Sequence, residues 1–223
     1  MKVCLVIPSY NEEKNILKVY KDIQDNAKGY DYVFINDCST DNSKAIFEQY
    51  GLNVINLPVN LGLTGAVQTG YKYAYENGYD FAVQFDGDGQ HQAKYIKSMV
   101  EKCAEGYDIV IGSRFVDEKK PWSLRMIGSR IISFSIYLKT GKIVKDPTSG
   151  LRMLNAKMLK DYAYNINRKP EPDTLVYQMK RGAKITEVQV SMQDRTEGTS
   201  LYSGLFSSFK YMFKMLVSII FIS

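Results

Sequence analysis

Two carboxylates stand two residues apart in the run Asp86-Gly87-Asp88-Gly89-Gln90-His91. Glycines between and after them permit a tight loop in which Asp86 and Asp88 converge on one cation. A hard divalent ion such as Mg²⁺ or Mn²⁺ takes oxygen ligands of this kind and completes its shell with diphosphate oxygens. Bound there, it would neutralise charge growing on a leaving diphosphate. The competing reading is a solvated turn, because Asp and Gly are common turn formers. His91 is the only histidine of the chain. Hard cations prefer oxygen, so a role supporting the loop is expected of it rather than ligation.

Other chemistries fit less well. Cys4, Cys38 and Cys103 are odd in number and widely spaced, and no CxxC occurs. Disulfide and structural-metal readings therefore fail, and a reducing cytoplasm is the simpler setting. No GxGxxG follows the first apolar run, and Gly62, Gly65 and Gly70 fall later with the wrong spacing, which argues against a dehydrogenase. The net charge of +5 suits anionic partners such as phosphates or anionic lipid and is too small to imply nucleic acid.

The elements that must position the acidic run can be read from the pattern. At 223 residues, 45% hydrophobic and 24% charged, the chain can bury a core as one large domain, or one domain with an appendage. Met1-Lys2 leads straight into Val3–Pro8, so no signal peptide is expected. Val3–Pro8, Tyr32–Asp37, Leu52–Leu57, Phe81–Phe85 and Ile109–Ile111 are short apolar runs typical of buried parallel strands. Between them lie helical stretches at 12–27, from about Asp41 (capped by Asp41 or Ser39), at 64–76 and at 95–104. This alternation predicts an α/β fold with a mainly parallel sheet flanked by helices. Ligands of such sheets sit beyond the carboxyl ends of the strands, where the acidic run falls. Beyond residue 113 the pattern is less regular: a bulky apolar stretch at 122–138, a returning strand within 146–155, a helix at 173–181 and a half-buried strand at 185–192.

Several segments in order resemble glycosyltransferase family 2, with its GT-A fold, and within it the dolichol-phosphate mannosyltransferase-like enzymes that glycosylate polyprenyl phosphates. The resemblance spans roughly residues 1 to 200. Its motifs are Ile7-Pro8-Ser9-Tyr10-Asn11-Glu12-Glu13, Ile35-Asn36-Asp37-Cys38-Ser39-Thr40-Asp41, Asn60-Leu61-Gly62-Leu63, the acidic run, Gly112-Ser113-Arg114-Phe115, Ser149-Gly150-Leu151-Arg152, and Asp194-Arg195-Thr196-Glu197-Gly198-Thr199-Ser200. The resemblance implies that Pro8, Tyr10, Glu12 and Asp37 hold the base and ribose of a nucleotide sugar. It makes Asp86, Asp88 and Gln90 the metal ligands, with Asp88 also near the donor phosphates. It sets Arg114, Arg125 and Arg195 against anionic oxygens of donor or acceptor, a task suited to the planar guanidinium fork. Ser200 counts with the substrate-binding residues. Where the family often has two aspartates this chain has Asn36-Asp37, and where the subfamily tends to carry lysine after Ser200 this chain has Leu201.

The expected reaction is inverting transfer from a UDP- or GDP-sugar to an undecaprenyl-type phosphate, with Mg²⁺ or Mn²⁺ as cofactor and Asp88, Arg114 and Asp173 as catalytic candidates. Asp173 follows Glu171-Pro172 and reads as a helix N-cap. In family members that glycosylate hydroxyls an acid in this region is the general base, which an already ionised phosphate does not need. The alternatives are a family 2 enzyme acting on a saccharide hydroxyl and a catalytically silent donor-binding subunit. Residues 1–204 would form the catalytic domain and 205–223 a membrane-associating segment. Its stretch Phe206–Ile222 is too short and interrupted for a confident span. Lys210 and Lys214 instead fit an interfacial helix at the cytoplasmic face of the membrane. Packing in the domain's own core, on a membrane partner protein or on a second copy of the chain are the other readings of this segment. The stretch 123–138 could be a second surface-seeking helix framing a lipid acceptor.

Overall fold

A computed structural model describes residues 1–165, 171–193 and 215–222, apart from the side chains of Arg125, Phe221 and Ile222. Seven strands form one sheet in the order β3-β2-β1-β4-β6-β5-β7. They are β1 (Val3–Ser9), β2 (Asp31–Asn36), β3 (Val54–Asn56), β4 (Phe81–Gln84), β5 (Ile109–Ser113), β6 (Arg152–Asn155) and β7 (Ile185–Gln189). All neighbours are parallel except β6, which runs antiparallel to both β4 and β5.

The strand period of two explains why the central runs are apolar throughout. All of β1 is buried. Cys4 and Val6 face one layer, and Val3, Leu5 and Ile7 the other. The second layer is closed by α1 (Ile16–Asn26), α2 (Ser43–Gln49) and α4 (Ile96–Ala104), through Ile16, Val19, Ile23, Phe47 and Met99. Burying aliphatic side chains like those of α1 stabilises by about 1.5–3 kcal/mol each. The first layer is closed by α3 (Gly62–Glu76), α5 (Leu124–Thr140), α6 (Ala156–Tyr164) and α7 (Pro172–Lys180). In α3, Gly70 lies against β1: a Cβ there would meet Val6 Cγ1 at 2.0 Å. Burial pushes the Cys4 and Cys103 thiols up to about 12, so both stay neutral and inert.

Four local readings differ from the expectation. The N-cap position of α2 is Asn42, whose side chain makes no capping bond. Ser39 Oγ is engaged by the Asn11 N–H, while Asp41, one residue before the cap, still accepts the Ser43 N–H of the first turn through Oδ1 at 3.0 Å and the Glu13 N–H through Oδ2. The N-cap of α7 is Glu171, which leaves Asp173 as the second residue of the helix, two positions past the cap. The strand within 146–155 shortens to β6, because the residues before it form a loop. Helix α6 follows β6 without a linker. Asn155 both ends the strand and caps the helix, its Oδ1 accepting from the Met158 N–H at 3.0 Å. Among the described residues no helix is long and apolar enough to cross a membrane.

Candidate active site

The parallel strands deliver their following loops to one edge of the sheet. Register pairs Pro8 with Ile35 and Ser9 with Asn36, so the loops after β1 and β2 begin side by side, and they brace each other. Asn11 N–H donates to Ser39 Oγ at 3.0 Å, and Asn11 Oδ1 accepts from Thr40 N–H at 2.8 Å. Glu13 N–H donates to Asp41 at 3.1 Å, and Glu13 accepts from Asn42 N–H at 2.9 Å. Asn11 and Cys38 take left-handed backbone angles, φ 55° and 58°; asparagine tolerates this region, whereas for cysteine it is uncommon, and such angles concentrate at functional loops. Asp37 is buried, and its Oδ1 accepts the Leu61 N–H at 2.7 Å, which ties the start of α3 to the end of β2. Tyr10 is exposed. Glu12 is half-buried, with Asn15 Nδ2 donating to it at 2.6 Å.

The acidic run follows β4 against the end of β1. A Cβ on Gly87 would lie 2.8 Å from the Pro8 carbonyl oxygen, which cannot retreat, so only glycine fits. Gly89 turns the loop with φ +76°. Burial then alternates: Asp86, Asp88 and Gln90 are half-exposed, whereas Phe85, Gly87, Gly89 and His91 are buried. The three expected ligands thus share one side of a loop whose other side is packed. Asp88 Oδ1 accepts from the Gln90 N–H at 3.0 Å. Asp86 is held from two directions. Gln84 Nε2 donates to its Oδ1 at 2.8 Å, and its own N–H donates to His91 Nδ1 at 2.9 Å. Among the described residues no group of three or more His, Cys, Asp or Glu side chains could hold a metal ion by itself. Two carboxylates and an amide fit a hard cation that draws its remaining ligands from substrate phosphates.

A loop from beyond β5 completes this edge. Ser149 Oγ donates to the Gly112 carbonyl at 2.6 Å. Gly150 backs onto the acidic run so closely that a Cβ would meet Asp86 Oδ2 at 2.8 Å. Buried Arg152 donates to the carbonyls of Pro147, Ser149 and Glu171, tying this loop to the start of α7. Arg114 leaves β5 nearby. Its Nε and a terminal nitrogen grip fully buried Asp146 at 2.7 and 2.9 Å, so the pair fixes the guanidinium plane. Lys120 donates to Ser129 Oγ at 2.8 Å and Ser133 Oγ at 3.3 Å. Burial holds its pKa below the usual lysine range, helped by nearby Arg130 and Arg114 and opposed by Asp146 and Glu187. Arg130 donates to the carbonyls of Lys120 and Pro121 and stacks on Trp122 at 4.7 Å. The start of α5 therefore gathers Arg114, Lys120 and Arg130.

The described end of the chain reaches Asp173. Ser218 Oγ donates to Asp173 Oδ2 at 2.6 Å, and Lys139 Nζ donates to the Ile220 carbonyl at 2.6 Å. Met215 and Ile219 are buried in the layer that contains α5 and α7.

Pro8 therefore stands at the end of strand β1, next to Ser9, while Tyr10, Glu12, Asp37, Asp86, Asp88 and Gln90 belong to the loops after β1, β2 and β4, and Arg114 to the loop after β5. Asp173 sits at the start of α7, linked to them through Arg152. Arg125 lies in the first turn of α5, but its side chain is outside the described part, as are Arg195 and Ser200. Their segment begins next to Gln193, whose N–H donates to the Gln90 carbonyl at 2.9 Å. Sequence reasoning missed Gln84, Asp146 and Lys120. A polar residue inside the apolar run Phe81–Phe85 was the available signal for Gln84; the other two carried none. Two surface hollows, one lined by Lys157, Asp161, Gln178 and Arg181 and one by Val116, Lys145, Met179 and Glu187, contain none of the expected residues. Chemistry rather than concavity locates the site.

The family model described as "Glycosyl transferase family 2" matches residues 4–163. The chain is 29% identical to a UDP-N-acetylglucosamine–dolichyl-phosphate N-acetylglucosaminyltransferase of Methanococcus voltae, over 96% of this chain and 95% of that one. It is 28% identical to an undecaprenyl-phosphate mannosyltransferase of Micrococcus luteus, over 92% and 88%. In fold it is similar to glucosyl-3-phosphoglycerate synthase of Mycobacterium tuberculosis, solved with Mn²⁺, UDP and glucosyl-3-phosphoglycerate, at TM-score 0.72 and 18% identity over 98% of this chain and 79% of that one.

Proposed function

The chain belongs to glycosyl transferase family 2, has the GT-A fold, and we propose that it transfers a sugar from a nucleoside-diphosphate donor to a polyprenyl phosphate with inversion. The observation that carries this reading is the one-sided presentation of Asp86, Asp88 and Gln90 at the carboxyl edge of the sheet, in a chain whose relatives are named for dolichyl and undecaprenyl phosphate. An acceptor phosphate oxygen attacks the anomeric carbon as its bond to the diphosphate breaks, and the bonding pair leaves with the nucleoside diphosphate. Asp86, Asp88 and Gln90 would hold Mg²⁺ or Mn²⁺, which supplies charge neutralisation on that leaving group. Pro8, Tyr10, Glu12 and Asp37 line the nucleotide side. Arg114, with Lys120, Arg130, Arg125 and Arg195, supplies positive charge for phosphate oxygens, and Ser200 belongs to the same acceptor side.

Asp173 favours a phosphate acceptor over a hydroxyl. The residue is 9% exposed, and its carboxylate accepts the Ser218 hydroxyl and the Thr174 N–H, one on each oxygen, bonds that anchor the chain rather than point an oxygen into the acceptor side. A phosphate is already ionised and needs no base, so Asp173 is assigned to seating the chain end.

We further place the protein peripherally on the cytoplasmic face of the membrane, with 1–204 as the catalytic domain and 205–223 as the associating segment. Support comes from α5, where Leu124, Ile127, Ile131, Phe134 and Leu138 recur at three- and four-residue steps and are all exposed, while Met126, Ile132 and Ile136 face the core. Such a stripe with flanking Lys119, Lys139 and Lys142 suits an anionic lipid surface. The test incubates the protein with a panel of radiolabelled nucleotide sugars and polyprenyl phosphate on liposomes, then extracts with organic solvent. Label in the organic phase is expected for one donor. Label that stays aqueous on saccharide acceptors would overturn the acceptor assignment.

A further inference from the structure

We infer that His91 and Gln84 are positioning residues that aim the Asp86 carboxylate, and that neither binds the cation itself. The inference rests on the reading of Asp86 as a ligand and adds what makes that ligand usable. His91 Nδ1 accepts the Asp86 main-chain N–H at 2.9 Å, so Nδ1 carries no hydrogen. The ring hydrogen sits on Nε2, which lies 3.7 Å from Asp86 Oδ2. One buried imidazole therefore faces both the backbone and the carboxylate of a single residue. Its ring is itself held edge-on against Phe85, with centroids 5.6 Å apart.

Gln84 works from the other side. Its Nε2 donates to Asp86 Oδ1 at 2.8 Å, while its buried Oε1 has no hydrogen-bond partner among the described residues. Leaving a buried acceptor unpaired costs on the order of 1–3 kcal/mol, a cost that an apolar residue of the same size would avoid. The amide is thus unfavourable as packing and explicable as a brace. Gly150 closes the third side. A short carboxylate on a loop has free side-chain torsions, and a working ligand must be held within about 0.5 Å of its position. Gln84, His91 and Gly150 together supply that restraint.

A purely structural histidine would be valued for its ring and a positioning one for its acceptor, and two substitutions separate these. His91→Phe keeps a ring against Phe85 and removes the acceptor. His91→Asn removes the ring and keeps an acceptor oxygen where Nδ1 stood. Mn²⁺ binding to the full-length chain is read by electron paramagnetic resonance with UDP and with GDP, beside thermal unfolding without metal. For His91→Phe we expect Mn²⁺ binding about 10- to 100-fold weaker, the range for residues that orient metal ligands, and for His91→Asn a change within about threefold. Gln84→Leu should bind Mn²⁺ roughly tenfold more weakly with a thermal midpoint equal to or above wild type. Affinities that follow the thermal midpoints, or wild-type affinity in both His91→Phe and Gln84→Leu, would overturn the inference while leaving the ligand reading intact. Absence of bound Mn²⁺ in the wild-type protein with either nucleotide would overturn both.

Discussion

Adding one methyl group at Gly150 would push directly on the Asp86 carboxylate. The new Cβ would sit 2.8 Å from Asp86 Oδ2 and 3.3 Å from Gln84 Nε2, about 0.6 Å inside the 3.4 Å where ordinary contact begins for the first of these. Gly150 has no left-handed backbone angle, so Gly150→Ala adds no backbone strain and its effect comes from this contact. The carboxylate can yield by turning about its side-chain torsions, but that breaks the 2.8 Å bond from Gln84. A hydrogen bond to a charged group is worth about 1.5–3 kcal/mol. At 1.4 kcal/mol per factor of ten, that corresponds to roughly 10- to 150-fold in an equilibrium that needs the original orientation. The assay is donor turnover as a function of Mn²⁺ concentration, with thermal unfolding as a control. The metal concentration giving half-maximal rate should rise by about that factor, and saturating metal should restore most of the turnover. A folded Gly150→Ala protein with the wild-type metal dependence would refute the argument that Asp86 must point where it does.

Three further outcomes follow from the same geometry. Asp88→Asn removes a ligand charge from a half-exposed position, so transfer should fall by at least about 100-fold with the thermal midpoint unchanged; wild-type turnover in metal-limited buffer would exclude Asp88 as a ligand. Asp37→Asn keeps an oxygen for the Leu61 N–H but removes the charge beside the nucleotide, so the donor KM should rise about tenfold with kcat within about twofold, and a fall in kcat at constant KM would contradict that placement. Gly70→Ala drives a methyl onto Val6 Cγ1 and should destabilise by about 1–3 kcal/mol despite alanine's better helix propensity; Val6→Ala should recover at least about 1 kcal/mol in the double mutant, measured by urea unfolding, and additive effects would show that α3 does not seat on β1 there.

The fold was most legible where burial is symmetric. A central parallel strand is covered on both faces, so Val3–Pro8 reads as one apolar run and was placed correctly to within a residue. Legibility fell where local and tertiary signals compete. Asn155 satisfies both a strand end and a helix cap, so nothing in the local pattern separates β6 from α6. The cap of α2 is divided: Asp41 gives one oxygen to the Ser43 N–H of the helix and the other to Glu13, and Ser39 goes to Asn11, a demand of the opposite loop invisible in local sequence. In the acidic loop the residues we propose as ligands could be named, Asp86 and Asp88 from type and spacing and Gln90 from the family resemblance, yet Gln84 and Asp146 could not. Their roles exist only once β6 and its preceding loop return beside β4 and β5, and that pairing joins residues far apart in the chain.

The apolar end of the chain shows why composition alone cannot separate a core from a membrane face. Both environments reward removal of the same side chains from water, by about 25 cal/mol per Å², so Met215, Val217, Ile219 and Ile220 read alike in either. Structure sorts them by direction. Met215 and Ile219, four residues apart, are buried against the layer that holds α5 and α7, while Val217 and Ile220 remain partly exposed. Ser218 between them donates to buried Asp173, and the Ile220 carbonyl accepts from Lys139 on α5. One short helical stretch thus contributes to the core, hydrogen-bonds Asp173 at the start of α7, and joins the helix carrying the exposed apolar stripe. Fold and surface are therefore not alternatives for residues 215–222: what seats this stretch on α5 also sets its outward side chains beside the face we assign to lipid.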